Sequence, residues 1–213
     1  MRRSGDLPPE MRQTVLDAAA KLFREKGYAA TTMREVADQC GIRAASLYYH
    51  FPSKDEILAE VFDYGVKHVS DAVRAGVDAL PASATAYQKI RVAVLAHLES
   101  FFVFGDYTAS NIRVFRQAPR EVQRRNRRLR DRYEAYWQTL FEEAKQRGEL
   151  RGDVDLAVAR LFLIGGLNHT LEWYTRRGGA SFSDLADRYA ALLFHGIGAP
   201  SVPARRAKTL NPR

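Results

Sequence analysis

The stretch TTMREVADQCGIRAASLYYHF, residues 31–51, decides the fold of this chain. It contains two short helical patterns on either side of a turn at Gly41, where a positive φ is expected and glycine accepts it without strain. The second helix, which begins near Arg43, is the one that a helix-turn-helix motif places in the major groove of DNA. The positions where the two helices must stay small or apolar hold Val36, Ala37, Cys40, Ile42 and Leu47.

Helical signals continue on both sides of this motif. The pairs Thr32/Glu35 and Ser53/Glu56 each predict a capping box, which would start the second and the fourth helix. The fourth helix is expected to reach about Asp78 and so to enter the second half of the chain. No segment shows the alternation of a strand, so we predict an all-α fold. The other predicted helices span residues 9–27, 86–104, 111–117, 119–147, 153–176 and 183–197.

Residues 14–58 carry a dense set of short motifs in a characteristic order. These motifs are Ala18-Ala19-Ala20-Lys21-Leu22-Phe23, Lys26-Gly27-Tyr28, Thr31-Thr32, Val36-Ala37, Gly41, Ser46-Leu47-Tyr48-Tyr49-His50-Phe51, Ser53-Lys54 and Leu58. With them, the segment resembles the DNA-binding domain of TetR-type transcriptional regulators. The resemblance implies a TetR-type helix-turn-helix domain (10–70) and a C-terminal helical ligand-binding and dimerisation domain (71–198). We expect a flexible N-terminus (1–9) and, from its proline and basic residues, a disordered basic tail (199–213).

The predicted DNA-binding residues lie on the second and third helices and at the start of the fourth. Hydroxyl, imidazole and ammonium groups there suit phosphate contacts, which set the register on DNA without reading its sequence. Arg34 and Arg43 are candidates for bidentate contacts with guanine, and Thr32 is a candidate for binding a phosphate at a helix N-terminus. The resemblance implies that Tyr49, His50 and Lys54 hold the DNA backbone and that Tyr48 contacts a base methyl group or a phosphate. The remaining candidates are Ala44, Ala45 and Ser46.

Some of these residues have an alternative role within the protein. Tyr48 could pack half in the core, against the first helix, and Arg34 could pair with Asp38 one turn away. Ala44 and Ala45 are too short for hydrogen bonds to bases and offer only van der Waals contact to thymine methyl groups.

Aromatic and basic residues gather in the middle of the chain. Phe101 and Phe104 precede a segment, residues 112–132, that holds nine arginines against two acidic residues. A cavity lined by aromatic side chains with a basic mouth would suit an apolar acid that carries phosphates. The alternative is a solvated charged face. The candidate ligand-binding residues here are Phe101, Phe104, Arg113, Arg116, Arg120, Asn126, Tyr133 and Trp137.

A second set of motifs lies near the C-terminus. The run Gly165-Gly166-Leu167-Asn168-His169-Thr170-Leu171-Glu172-Trp173-Tyr174, with Gly178-Gly179 and residues 183–193, resembles the C-terminal half of TetR-type regulators of fatty-acid, aromatic-acid or sterol catabolism. Several of these respond to acyl-CoA thioesters, so the resemblance implies a small hydrophobic or acyl-CoA inducer, with Asn168 and Trp173 as further ligand-binding residues.

The same resemblance implies that the last two helices form a four-helix dimer interface. A homodimer also makes physical sense, because two recognition helices about one DNA turn (~34 Å) apart read a palindrome of double-stranded operator DNA. The predicted interface residues are Leu163, Leu167, Leu171, Tyr189, Leu192 and Leu193.

Composition limits the classes to which this chain can belong. The formal net charge of +8 suits an anionic partner, yet residues 1–60 hold nine basic and nine acidic side chains, so the motif rather than bulk charge argues for DNA. A single cysteine, Cys40, excludes an internal disulfide and a multi-cysteine metal site. No run approaches the ~18–20 apolar residues of a membrane span. The N-terminus lacks the apolar stretch of a signal peptide, so we expect a cytoplasmic protein.

The sequence contains no catalytic constellation. It has no Gly-x-Ser-x-Gly, no phosphate-cradling glycine loop and no His-Glu-x-x-His, and its five histidines lack the spacing of metal ligands. We therefore expect a protein that is not an enzyme and needs no cofactor. The hypothesis is a homodimeric repressor that a small ligand releases from a palindromic operator. The alternatives are a non-specific nucleoid-type DNA-binding protein, driven by the arginine stretch and basic tail, and a helical small-molecule carrier that does not need DNA.

Overall fold

The computed structural model describes residues 8–174 and 179–196, and these residues form helices, turns and loops without a strand. The predicted all-α fold is confirmed. Over the same residues, no helix combines the length and the apolar character that a membrane span requires. A 3₁₀ turn (Phe115–Gln117) precedes α7. The helices are α1 (Pro9–Ala30), α2 (Met33–Gln39), α3 (Ala44–His50), α4 (Lys54–Asp78), α5 (Ala86–Val103), α6 (Gly105–Val114), α7 (Arg120–Gln146), α8 (Leu156–Trp173) and α9 (Phe182–His195).

The first three helices pack around one apolar core with the N-terminal half of α4. Leu47 of α3 is fully buried in this core. Gly41, in the turn before α3, has φ +67°, so the predicted positive φ is confirmed. Cys40 packs partly buried against the same core, and burial raises the pKa of its thiol. The motif therefore presents α3 on a rigid support.

Local capping signals set the starts of several helices. The predicted capping box of Thr32 and Glu35 is present at α2. At α4 only half of the predicted box forms, since the Ser53 hydroxyl accepts from the Glu56 backbone N–H at 3.2 Å. The Glu56 carboxylate instead accepts from Arg125 of α7 at 3.3 Å. A tertiary ion pair has displaced the local bond.

Some helix boundaries differ from the predicted ones. α6 begins at Gly105 rather than at residue 111, because the chain re-enters a helix directly after α5 is capped at Phe104. α8 begins at Leu156 rather than at residue 153, because the Asp155 carboxylate accepts from the first N–H groups of that helix. Pro9 is the first residue of α1 and not part of a flexible N-terminus. Predictions for residues 1–7, 175–178 and 197–213 lie outside the described residues.

α4 connects two apolar cores. Its N-terminal half belongs to the first core, and its C-terminal half packs with α5 and α7 in a second core that contains Val69 and Trp137. Tyr107 of α6 and Val122 of α7 belong to the first core, so the helix-turn-helix rests directly on the C-terminal helices. The predicted domain boundary at residue 70 falls inside α4 and stays a prediction.

Candidate DNA-binding surface and ligand cavity

The exposed face of α3 forms the candidate DNA-binding surface. Leu47 anchors the helix in the core, while Tyr48 and Tyr49 are 54% and 72% exposed. The rings of Tyr49 and His50 meet edge-on, with their centroids 4.9 Å apart. Since more than half of Tyr48 is exposed, its position favours a surface role over packing against α1. The exposed candidates around these rings are Thr32, Arg34, Arg43, Ala45 and Ser46, while the partly buried ones are Ala44 and His50.

Protein groups already occupy the N-terminus of α2. The backbone N–H and the hydroxyl of Thr32 donate to Glu35 Oε2 at 2.9 and 3.1 Å, and the Lys26 ammonium donates to Glu35 Oε1 at 2.7 Å. The Lys26 bond, followed by those from Thr32, lowers the pKa of Glu35 to about 2. A phosphate at Thr32 would therefore compete with a carboxylate. Arg34 is exposed and forms no ion pair with Asp38 in the described part of the chain, which leaves its guanidinium available to DNA.

Lys54 has a structural role that its sequence position did not reveal. Its ammonium donates to the carbonyl oxygens of Tyr28 and Thr31, both at 2.7 Å, and lies 4.2 Å from the centre of the Tyr28 ring. The Tyr28 hydroxyl donates to Asp55, and burial, followed by this carboxylate, raises the pKa of the phenol. Lys54 thus ties the start of α4 to the end of α1, and any phosphate contact would add to that role.

A cavity of about 120 Å³ lies among α4, α5, α6, α7 and α8. Of the predicted ligand-binding residues, Phe101, Tyr133 and Asn168 line it. Its apolar wall consists of Val66, Val69, Ile112 and Ile164 beside Gly65 and Phe101. The other polar residues that line it are His97, Thr108, Asn111, Arg130 and Glu134.

The other predicted ligand-binding residues do not line this cavity. Trp137 is fully buried in the second core, and Phe104 lies in a separate groove between α1 and α6. Arg113 is paired at the surface with Glu172 at 3.5 Å, and Trp173 is half exposed at the end of α8. A guanidinium stays in water unless the protein supplies partners, which explains why the basic residues face outward. Also outside the cavity wall are the exposed Arg116 and Arg120 and the buried Asn126.

His97 is fully buried beside the cavity. Its Nδ1 lies 2.7 Å from the hydroxyl of Tyr133, and its buried Nε2 has no hydrogen-bond partner among the described residues. Burial lowers the pKa of His97 to about 4, an effect that the neighbouring Asn168 partly offsets. Burial also raises the pKa of Tyr133. Both rings are therefore neutral at physiological pH.

Arg130 supplies the cationic group of the cavity wall. Its Nε donates to Asn126 Oδ1 at 3.0 Å, and its Nη2 donates to the backbone carbonyl of Asn111 at 3.3 Å and to the side-chain oxygen of the same residue. The guanidinium lies 4.2 Å from the centre of the Phe115 ring. The sequence does contain a signal for this position. Asn126 is a polar residue within the apolar stripe of α7 that includes Val122, Tyr133 and Trp137, and Arg130 follows Asn126 by one turn.

The outward apolar face of α8 differs from the predicted dimer interface. Leu163 and Leu167 are 2% and 0% exposed and belong to the second core within one protomer, so the prediction is wrong for these two residues. Leu171, Tyr189 and Leu193 are partly buried against that core. Neighbouring helix positions lie about 100° apart, so the adjacent stripe faces outward. This outer face consists of Val158, Leu161, Phe162 and Trp173 of α8 with Leu192 of α9.

Two family models match the chain. The model described as "Bacterial regulatory proteins, tetR family" matches residues 15–61, and the model described as "Tetracyclin repressor-like, C-terminal domain" matches residues 83–197. The chain belongs to the TetR family. The predicted family is thereby confirmed in both the DNA-binding and the C-terminal part of the chain.

Relatives of this TetR-family chain include named transcriptional regulators. The HTH-type transcriptional repressor KstR2 of Rhodococcus jostii (strain RHA1) is 27% identical over 198 residues, which cover 89% of this chain and 92% of that protein. The fatty acid metabolism regulator protein of Bacillus subtilis (strain 168) is 22% identical over 186 residues, covering 86% of this chain and 93% of the relative. The crystal structure of the TetR family transcriptional regulator PfmR from Thermus thermophilus matches with a TM-score of 0.77 at 28% identity, over 87% of this chain and 99% of that one.

Proposed function

We propose that this TetR-family protein is a cytoplasmic homodimeric repressor, which a small ligand releases from a palindromic operator. The observation that carries the proposal is the exposed face of α3. Arg43, Tyr48 and Tyr49 are exposed there, while Leu47 on the opposite face is fully buried in the core. The relative from Rhodococcus jostii is named a transcriptional repressor, which supports repression over activation.

The side chains of this surface suit two kinds of DNA contact, with base edges and with phosphates. Arg34 and Arg43 carry guanidinium groups that suit bidentate contacts with the major-groove edge of guanine. Ser46, Tyr49 and His50 suit contacts with phosphate oxygens, which position α3 without reading sequence. Operator specificity therefore depends mainly on the two arginines.

A second copy of the chain would cover the outer face of α8 and α9. Large apolar side chains such as Phe162, which is 73% exposed, gain free energy when a partner removes them from water. A two-fold axis through this face would pair it with the same face of a second protomer. The two α3 helices would then contact successive major grooves, about 34 Å apart.

The ligand cavity touches α4, the helix that leads into the DNA-binding domain. Gly65, Val66 and Val69 of α4 form part of its wall. A Cβ at Gly65 would lie 3.2 Å from the Cβ of Tyr107, so α4 and α6 are closely packed where they cross. A ligand that pushes on this wall would shift α4 and change the distance between the α3 helices. Operator DNA must then weaken ligand binding by the same factor as the ligand weakens operator binding.

The size of the cavity limits the part of a ligand that enters it. A volume of about 120 Å³ suits a body about as large as benzene. An acyl-CoA would therefore place only its acyl end inside, while the exposed Arg116 and Arg120 suit its phosphates. The name of the Bacillus subtilis relative, a fatty acid metabolism regulator, supports an acyl group.

Exchanging single arginines tests the proposal. Arg43→Ala should weaken binding to a duplex selected by the protein about tenfold or more, measured by fluorescence anisotropy, because one bidentate base contact is lost. Arg151→Ala is the matched control, since this arginine has a 75% exposed side chain far along the chain from α3. Equal losses in both variants, or none in Arg43→Ala, would contradict specific reading by α3.

The two alternatives make different predictions. A nucleoid-type protein binds any duplex with a steep salt dependence and little sequence preference. Against it, Arg113, Arg124 and Arg125 of the arginine stretch are paired with carboxylates, which reduces the charge offered to DNA. A carrier would bind its ligand equally well in Tyr49→Ala and would show no operator binding to lose.

A further inference from the structure

A cation in the wall of the ligand cavity forms no ion pair with any carboxylate of the described residues. Arg130 donates only to neutral oxygens, those of Asn111 and Asn126, and stacks on the ring of Phe115. Among the described residues, no Asp or Glu oxygen lies within 4.0 Å of its guanidinium nitrogens. Arg130 thus differs from Arg125 and Arg160, which face the same region and are paired.

The carboxylates near Arg130 are paired with other cations. Glu134 lies one turn further along α7 and also lines the cavity, but its carboxylate is paired with Arg160. Asp63 of α4 and Glu56 are both paired with Arg125. Glu134 still attracts Arg130 across the turn, and Arg127 on the same helix adds a smaller repulsion. Of the two charged residues that line the cavity, Arg130 is therefore the one without an ion pair among the described residues.

Such a charge favours an anionic occupant. A cation that is largely removed from water costs free energy unless an anion or several good acceptors replace the water. Burial lowers the pKa of Arg130, which is the sign of this cost. A carboxylate offers a guanidinium two parallel charge-assisted hydrogen bonds, whereas an apolar chain offers none.

His97 adds a second donor to the same cavity. If Tyr133 donates its hydroxyl proton to Nδ1, the neutral imidazole carries its own proton on Nε2. That nitrogen is buried and has no hydrogen-bond partner within 3.5 Å among the described residues, although the side chain of Asn168, which raises the pKa of His97, lies near the ring and lines the same cavity. Arg130 and His97 both line this one small cavity.

We infer that the cavity binds the carboxylate of a small organic acid, which Arg130 holds while a second ligand oxygen accepts from His97 Nε2. The inference rests on the proposed role of this cavity as the inducer site, and it specifies the chemistry of the inducer. The apolar body between the two polar ends is about as large as a benzene ring. The carboxylate belongs either to a free acid or to the far end of an acyl group whose other end is a CoA thioester.

Isothermal titration calorimetry on the full chain without DNA tests the inference with matched probes. Benzoate is compared with benzamide, and 4-oxopentanoate with its amide, since each pair differs mainly in charge. The acids should bind at least about tenfold more tightly than the amides. 4-Oxopentanoate should also bind more tightly than pentanoate, because only its ketone can accept from His97. Glutaryl-CoA against butyryl-CoA tests the thioester source, and binding of glutaryl-CoA without binding of free acids would assign the carboxylate to an acyl-CoA.

Variants of Arg130 test whether this residue causes the preference for acids over amides. Arg130→Gln should abolish the difference between acid and amide, and Arg130→Lys should restore part of it because the charge returns. Arg127→Gln removes an exposed arginine of the same helix and should leave the preference intact. If Arg130→Gln does not fold, the comparison of acids with amides on the wild-type protein still shows whether the cavity prefers an anion.

Three results would overturn the inference. These are equal binding of acids and amides, an acid preference that survives Arg130→Gln, and the absence of binding by every acid and by glutaryl-CoA. The repressor proposal is tested separately, by operator binding without ligand. If the protein binds an operator but shows no preference for acids, only the inference about the carboxylate is contradicted. If it prefers acids but binds no operator, only the repressor proposal is contradicted.

Discussion

Lys54 and Tyr49 share one predicted role, a contact with the DNA backbone, but they make different contacts within the protein. Lys54 donates to Tyr28 and Thr31 and stacks on a ring, whereas Tyr49 is 72% exposed. We expect Lys54→Ala to lower the free energy of unfolding by about 2 kcal/mol, because two charge-assisted hydrogen bonds and a cation–π contact are lost. Tyr49→Ala should change it by less than about 0.5 kcal/mol. Urea unfolding measures both, and similar losses in the two variants would contradict the structural role of Lys54.

His97 should make the stability of the protein depend on pH. Its pKa is about 4 in the folded protein and 6.5 in an unfolded chain, so the unfolded chain binds more protons between these values. Stability therefore rises with pH across this window, is fully present above about pH 6.5 and is lost towards pH 4. We expect the protein to be about 1 kcal/mol less stable at pH 5.5 than at pH 7.

Substitution isolates this contribution. His97→Asn should remove most of the difference between the two pH values in urea unfolding, whatever its effect on absolute stability. His195→Asn, at the exposed end of α9, is the control and should keep the difference. An unchanged pH difference in His97→Asn would show that other groups cause it.

At the scale of elements, the outer face of α8 is where we expect two protomers to meet. Phe162→Asp places a charge at its centre and should shift the protein from dimer to monomer in sedimentation velocity, because burying an unpaired carboxylate is costly. Val103→Asp is the matched control, since Val103 is 71% exposed but lies on α5, away from this face. A dimer that persists in Phe162→Asp, or that dissociates in both variants, would place the interface elsewhere.

Some of these features could be predicted from the sequence and others could not. The turn at Gly41 and the cap at Thr32 follow from local backbone chemistry, and both were predictable. α8 is apolar on more than one side, so periodicity alone does not tell that Leu163 faces the core while Phe162 faces outward. Arg130 is one of nine arginines in its segment, and only the packing of α7 against α4 and α6 turns it inward.

In the whole molecule, α4 runs from the DNA-binding domain to the wall of the cavity. Its first residues are tied to α1 by Lys54, and its middle forms part of the cavity wall at Gly65 and Val66. The family and the all-α architecture were predictable because their motifs are local. Of the cavity lining, only Phe101, Tyr133 and Asn168 were predicted, since residues from five helices converge on it.

Selection of bound DNA tests whether the protein is a dimeric, sequence-specific DNA-binding regulator. The purified protein, without ligand, would be incubated at physiological salt with a pool of random duplexes, and the bound fraction sequenced. We predict enrichment of a palindrome whose half-sites lie about one helical turn apart. A bound fraction with no enriched motif over the input pool would contradict the account and favour a nucleoid-type protein.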